Sequence, residues 1–173
     1  MVGTIEPRKG HAQALAAFEL LWAKGMDVNL VIIGKQGWMV GKLIGRLQTH
    51  PLLNKKLFWF DGISDHLLQQ LYQQANGSLL ASIGEGFGLP LIEAARVDLP
   101  ILARDIPIFR EIAGKFATYF SGTTAEELAQ ALEPWIVLVR KKKAVRSGAI
   151  PWLTWAESTK QLLNVILPEG DKV

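Results

Sequence analysis

Two hydrophobic rhythms take turns along this chain: short, near-continuous apolar runs, and longer stretches in which apolar positions recur at helical spacing. Met1-Val2 reads as the tail of a first strand. Ala12, Leu15, Ala16, Phe18, Leu20 and Trp22 give one broad apolar surface to a helix from about Lys9 to Lys24, with Gly25 as its stop. Val28-Asn29-Leu30-Val31-Ile32-Ile33 is the β-branched kind of run found in parallel strands buried on both faces. Gly34-Lys35-Gln36-Gly37 then turns the chain into a helix from about Trp38 to His50. Leu57-Phe58-Trp59-Phe60 is the third strand, closed by Asp61-Gly62, and Ser64 caps a helix to about Ala75. Ser78-Leu79-Leu80-Ala81 is a fourth strand, followed by a tight turn and a helix to Arg96. A fifth strand follows at Pro100-Ile101-Leu102-Ala103. Asp105 is placed to cap a short helix holding Phe109, Arg110 and Glu111, and Ala117-Thr118-Tyr119-Phe120 reads as an edge strand. Thr124 opens a long helix, and a last helix runs from about Trp152 to Leu167.

Alternating strands and helices with short turns predict an α/β domain with a Rossmann-like, doubly wound parallel sheet. Ligands of such sheets sit beyond the carboxyl ends of the strands. Three turns at those ends are rich in glycine and polar residues: Gly3 to Gly10, Gly34 to Gly37, and Gly84 to Gly88. They are expected to converge on one crevice. With 173 residues, the chain reads as a single domain over 1–173.

Composition narrows the class. Apolar residues at 49% against 20% charged ones describe a globular chain, and a net charge of +3 does not call for nucleic acid as a partner. There is no cysteine, so disulfides and thiolate ligands are out, which suits a reducing compartment. No apolar stretch approaches the ~20 residues that span a bilayer. The start lacks a basic-then-apolar signal segment and begins as if inside a strand, as a domain cut from a longer chain would.

The chemistry concentrates in Glu85-Gly86-Phe87-Gly88-Leu89-Pro90-Leu91-Ile92-Glu93. Two carboxylates stand around a glycine-rich bend that opens into a helix, with Pro90 suited to its first position. The amides of Gly86 to Leu89 come off the positive end of that helix, an arrangement that binds phosphate. Glu85 and Glu93 could then accept hydrogen bonds from hydroxyls at either end of a phosphorylated ligand. A plain strand-to-helix turn, with its acidic residue favoured by the helix dipole, explains the same residues. A lone glycine-rich turn does not decide between the two.

The full string resembles the E-x7-E signature of the retaining glycosyltransferases of family 4, which have the GT-B fold and use nucleotide sugars. The resemblance runs from Val2 to about Ser121, on the C-terminal, donor-binding half of that fold. Gly3-Thr4-Ile5-Glu6-Pro7-Arg8-Lys9-Gly10 is similar to the family's basic loop, in the subgroup with Glu-Pro-Arg-Lys that includes mannosyltransferases. The resemblance implies that Arg8 and Lys9 neutralise the donor diphosphate, with Glu85, Arg8 and Lys9 as the catalytic set. It also implies that Glu93 accepts from ribose hydroxyls, Glu85 from sugar hydroxyls, and that Gly86, Phe87, Gly88 and Leu89 face sugar and phosphate. Asp61-Gly62-Ile63-Ser64-Asp65 is similar to the loop under the nucleobase, where the backbone of Ile63 would meet the base edge. Read without the family, Arg8 and Lys9 form a basic helix start, where cations are misplaced unless an anion binds. The 61–65 segment is then a capped turn. Asp98 stands where the family commonly has glycine, and Asp tolerates left-handed backbone.

The implied activity is transfer of a sugar, mannose by preference, from a GDP- or UDP-linked donor to a saccharide or lipid-linked acceptor with retention. The acceptor site would lie on an N-terminal domain outside this chain. No metal or other cofactor is expected, and His11, His50 and His66 have no paired ligand spacing. A stand-alone nucleotide-binding or regulatory module, or an epimerase or phosphorylase of the same fold, remains the alternative. Arg140-Lys141-Lys142-Lys143 with Arg146 reads either as a solvated helix end or as a contact with anionic lipid. The expected location is cytoplasmic, peripheral at the inner face of the membrane. Trp38, just past the Gly34–Gly37 turn, is the tryptophan expected near the ligand.

Overall fold

The computed structural model describes residues 1–167. Five strands fall into two parallel ladders. In the first, β1 (Leu30–Ile33) pairs with β2 (Leu57–Phe60), Ile32 opposite Trp59. In the second, β3 (Ser78–Leu80), β4 (Ile101–Arg104) and β5 (Thr118–Phe120) lie side by side in that order. Met1-Val2 runs beside β1 as a single parallel bridge, Val2 with Ile33, rather than as a full strand. The helices alternate with the strands: α1 (His11–Ala23), α2 (Gly41–Thr49), α3 (Asp65–Gln74), α4 (Leu89–Ala95), α5 (Pro107–Ala113), α6 (Ala125–Arg140) and α7 (Trp155–Ile166).

Side chains on successive strand residues point to opposite faces. Leu79 and Leu102 therefore join α1, α2 and α6 in one core cluster, while Leu80, Ile101 and Ala103 join α4, α5 and Tyr72 of α3 in the other. Apolar residues are needed on both faces, which is why these strands read as unbroken runs.

The caps are chemical. Ser64 accepts from the Leu67 amide, and Thr124 with Glu127 closes a full capping box on α6. Asp98 adopts φ +52°, the left-handed backbone that its position requires. Three details differ from the sequence reading. Asp105 does not cap α5, whose N-cap is Ile106 without a side-chain bond; its carboxylate is held by Arg110 at 2.7 Å instead. Arg110 offers charged donors, which bind a carboxylate more strongly than backbone amides do. The second helix starts at Gly41, because Met39 sits at φ +53° and interrupts the turn. The first starts at His11, because Pro7–Lys9 form a separate 3₁₀ turn ended by Gly10 at φ +73°. Helix α7 has no buried side chain, so its Trp155, Leu162, Leu163, Val165 and Ile166 stand exposed. Among the described residues, no helix is long and apolar enough to cross a membrane.

Arg104, at the end of β4, is buried. Its guanidinium donates to the carbonyl of Ala81 at 3.0 Å, to that of Gly122 and to Gln13 Oε1, and lies 4.9 Å from the Phe120 ring centroid. It thus ties the end of β3 to α1 and to the turn after β5. Arg104→Ala strands two backbone acceptors and removes a cation–π contact. The expected loss of stability is about 3 kcal/mol, read as a lower urea midpoint; a midpoint within error of the wild type would contradict this role.

Candidate donor-binding site

The three glycine-rich turns do converge. Gly34 passes so close to Gly3 that a Cβ on it would lie 2.0 Å from the Gly3 carbonyl oxygen. Gly10 combines φ +73° with a Cβ position 2.3 Å from the Ala81 carbonyl oxygen, so only glycine lets the basic loop lie against the end of β3. The Ile83 amide donates to the Arg8 carbonyl at 2.8 Å and fixes that approach.

This packing brings the basic loop onto Glu85. Lys9 Nζ lies 2.6 Å from Glu85 Oε1, and Arg8 Nη1 lies 3.1 Å from Oε2. Arg8 Nη1 also donates to the Gly84 carbonyl at 3.1 Å, and Arg8 Nε meets Glu6 at 3.0 Å. Ser82 Oγ donates to Glu85 Oε1 at 2.7 Å. The Glu85 side chain is only 9% exposed. Burial by itself would raise its pKa, but hydrogen bonds from Lys9 and Ser82, the Lys9 charge and a bond from Arg8 outweigh it. The carboxyl is held below its ordinary value. Arg8 is about 43% exposed at the rim, whereas Lys9 is 14% exposed. One cation therefore faces solvent while the other is set into the wall.

Glu93 belongs to a separate network. One turn into α4, it accepts from the Tyr72 hydroxyl of α3 at 2.8 Å. Burial and the adjacent carboxylate push the Tyr72 hydroxyl well above its usual range, so it remains a donor. Ile63 lies in the loop leading to Ser64, the N-cap of that same α3, and Gly62 packs near the Lys35 stem from the Gly34–Gly37 turn. Glu93 and Ile63 are thus linked through α3, and Glu85, Arg8 and Lys9 through their ion pairs. Among the described residues, no side-chain hydrogen bond or ion pair joins the two groups.

Gly88 caps α4 at φ +89°, against Phe109, while a Cβ on Gly86 would meet open space. Among the described residues, the amides of Gly86, Phe87 and Gly88 find no protein acceptor. Pro90 occupies the second rather than the first helical position, because α4 opens one residue earlier at Leu89. Phe87 and Leu89 are half exposed at the mouth, and Trp38 is exposed just beyond Gly37. Gly37 itself packs against Thr4, Ile5 and Glu6 of the basic loop.

Ser82 and Tyr72 were not marked by the sequence, and Glu6 entered only as part of the Glu-Pro-Arg-Lys string. Ser82 stands three residues before Glu85, a spacing that could have flagged it, but Tyr72 lies 21 residues from its partner and had no local signal. His11 lies buried beside Lys9 and Ser82; burial, the N-terminal charge and Lys9 lower its pKa to about 3, so it stays neutral. Among the described residues, no three His, Asp or Glu side chains gather as a metal site requires. The basic run is partly absorbed by the fold: Arg140 donates to the Asp27 carbonyl, and Arg146 pairs with Asp98 at 2.9 Å.

The family described as "Glycosyl transferases group 1" matches residues 1–149. A serotype-specific mannosyltransferase of Escherichia coli, WbdA, is 56% identical over 164 residues, which are 95% of this chain and 20% of the relative. The chain therefore spans about a fifth of that protein. The O-antigen chain mannosyltransferase RfbU of Salmonella typhimurium is 37% identical over 118 residues, 68% of this chain and 32% of its own. Among solved structures, the C-terminal domain of a group 1 glycosyl transferase, LpcC of Francisella tularensis, superposes with a TM-score of 0.72. It is 22% identical, over 86% of this chain and 81% of that one. The α/β architecture is thus that of GT-B C-terminal domains.

Proposed function

The chain belongs to the group 1 glycosyl transferases, and on that footing we propose that it is the donor-binding domain of a retaining mannosyltransferase. Its donor is a nucleotide-linked mannose, with GDP preferred to UDP as the carrier. The observation that carries this reading is Glu85 held by Lys9 and Arg8 at the mouth of the Gly86–Leu89 turn. A carboxylate kept ionised in a sheltered position suits acceptance of hydrogen bonds from sugar hydroxyls. The cations beside it suit the charge that develops on a departing diphosphate, with the helix end adding its partial positive charge. Gly86, Phe87, Gly88 and Leu89 line the sugar and phosphate, Glu93 takes the ribose and Ile63 the base.

The names of WbdA and RfbU support mannose as the transferred unit. An acceptor site on an N-terminal domain, and a saccharide or lipid-linked acceptor, complete the reading. The exposed Lys141, Lys142 and Lys143 support peripheral contact with anionic lipid on the cytoplasmic face.

The cations of the chain supply the charge that a metal would otherwise provide, so transfer is expected to run without a divalent ion. The full-length protein, assayed with GDP-mannose in excess chelator, should keep most of its activity and give a product with the donor's anomeric configuration. Activity lost in chelator and restored by magnesium, or an inverted product, would defeat the mechanism. Donor binding without any transfer would make the domain a binding module.

A further inference from the structure

His11 is the first residue of α1 and only 2% exposed. The close approach of Gly10 to the Ala81 carbonyl sets it against the end of β3. Both ring nitrogens are buried, and among the described residues neither meets a hydrogen-bond partner. A neutral imidazole carries one N–H donor and one bare acceptor, and leaving both unmet inside a protein is costly. The ring does stay neutral. Burial first, then the charges of the Met1 amine and Lys9, work against the imidazolium. The positive end of α1 acts in the same sense.

The surroundings of the ring are polar on one side. A cavity of about 10 Å³ beside it is lined by Lys9, Ser82, Glu85 and Pro90 together with the end of β3. That is room for about one water, and a buried water typically takes about three hydrogen bonds. Groups able to make them are at hand. Ser82 donates its only hydrogen to Glu85 Oε1 at 2.7 Å, so its Oγ still has lone pairs to offer. The same Oε1 takes Lys9 Nζ at 2.6 Å.

We propose that this cavity is the site of one ordered water that joins a ring nitrogen of His11 to Ser82 Oγ, which makes His11 a positioning residue for Glu85. The water donates one hydrogen to Ser82 Oγ and meets the ring nitrogen with its remaining capacity. Ser82 is then held with its own hydrogen on Glu85, and Oε1 is fixed by Ser82 and Lys9 together. A hydrocarbon side chain at position 11 would fill space but leave Ser82 free to turn away. An imidazolium would add a third cation to Lys9 and Arg8, so only the neutral ring suits the relay. The relay belongs to the ligand-free chain and does not depend on what Glu85 binds.

Two measurements test it without any ligand. In the isotope-labelled wild type, the ring protons of His11 should cross-relax with a long-lived water. Its ring nitrogens should report a neutral imidazole as pH falls through ~6.5, where an exposed histidine titrates. The second readout is the Glu85 carboxyl, followed by its carbon signal as pH falls. Arg8 and Lys9, the cations that face Glu85 from the basic loop, are unchanged in every variant compared. Ser82→Ala should move the Glu85 midpoint upward, because a bond that favours the ionised form is lost. His11→Leu should move it upward by a smaller amount, and His11→Gln, which keeps a donor and an acceptor, should restore most of the wild-type value. His11→Leu combined with Ser82→Ala should match Ser82→Ala alone. A packing role would lower the melting temperature of His11→Leu and leave the midpoint where it is. An unmoved midpoint, full additivity of the two variants, or a wild-type ring without a water neighbour would overturn the relay. One consequence rests on the function proposed above: His11→Leu should weaken GDP-mannose more than GDP. A moved midpoint without that difference keeps the relay and defeats the sugar reading of Glu85.

Discussion

Replacing Arg8 and Lys9 together by alanine is expected to lower kcat of the full-length protein by about 10²–10³-fold, the scale for removing preorganised charge stabilisation from a transition state. The same double variant should lose most of the preference of the isolated domain for GDP over guanosine. Both effects follow from placement, since Lys9 is set into the wall and Arg8 stands at the rim within reach of solvent. Phosphate contacts made by a rim cation weaken as salt shortens the Debye length, ~10 Å at 0.1 M. The GDP preference of the wild type should therefore shrink at high salt, with the Arg8 share shrinking most. A pH signature accompanies this. In the wild type the depressed Glu85 pKa means its ion pairs contribute stability above the ordinary carboxyl range, and that contribution is lost as pH falls through the depressed native value. Without the cations, burial is left to raise the Glu85 pKa, and loss of the ionised form should move upward in pH. Calorimetry with GDP and guanosine at two salt concentrations reads the first effect. An unchanged gap would place the phosphates wholly on the Gly86–Leu89 amides.

The sequence carried the frame of this site because the frame is built from local rules. Strands buried on both faces declare themselves as apolar runs, as β4 does. Ser64 and Thr124 cap helices whose first turns contain their partners. The convergence of the three glycine turns was legible because strand-to-helix turns of a parallel sheet share one end. Whatever depends on a distant partner was not. Glu85 appeared as a free acceptor, yet its environment is set by Arg8 and Lys9, 77 and 76 positions away. Arg104, which reaches Ala81 and Gln13, stands one residue past the strand expected at Pro100–Ala103 and carried no local signal. Asp105 had the right type and place for a cap, and only the tertiary position of Arg110 drew it elsewhere.

Splitting the two glutamates should produce opposite ligand dependence. Glu93→Ala is expected to weaken GDP and GDP-mannose alike, by the ~1.5–3 kcal/mol that a charged hydrogen-bond acceptor contributes. Tyr72→Phe should reproduce a smaller part of that loss, because the Tyr72 hydroxyl donates to Glu93 at 2.8 Å and orients it. Glu85→Ala should act differently. On the proposed reading its carboxylate accepts from sugar hydroxyls, so GDP-mannose should lose affinity while GDP does not. With Glu85 gone, Arg8 and Lys9 are also released from their ion pairs, and GDP alone could bind as well as before or more tightly. That coupling has a consequence for additivity: residues sharing one ion-pair network do not act independently. Glu85→Ala combined with Lys9→Ala should therefore cost less than the sum of the two single losses for GDP-mannose. Titrations of the domain with both ligands read all four variants. Equal losses for GDP and GDP-mannose in Glu85→Ala, or strict additivity with Lys9→Ala, would show that Glu85 serves the fold of the loop rather than the sugar.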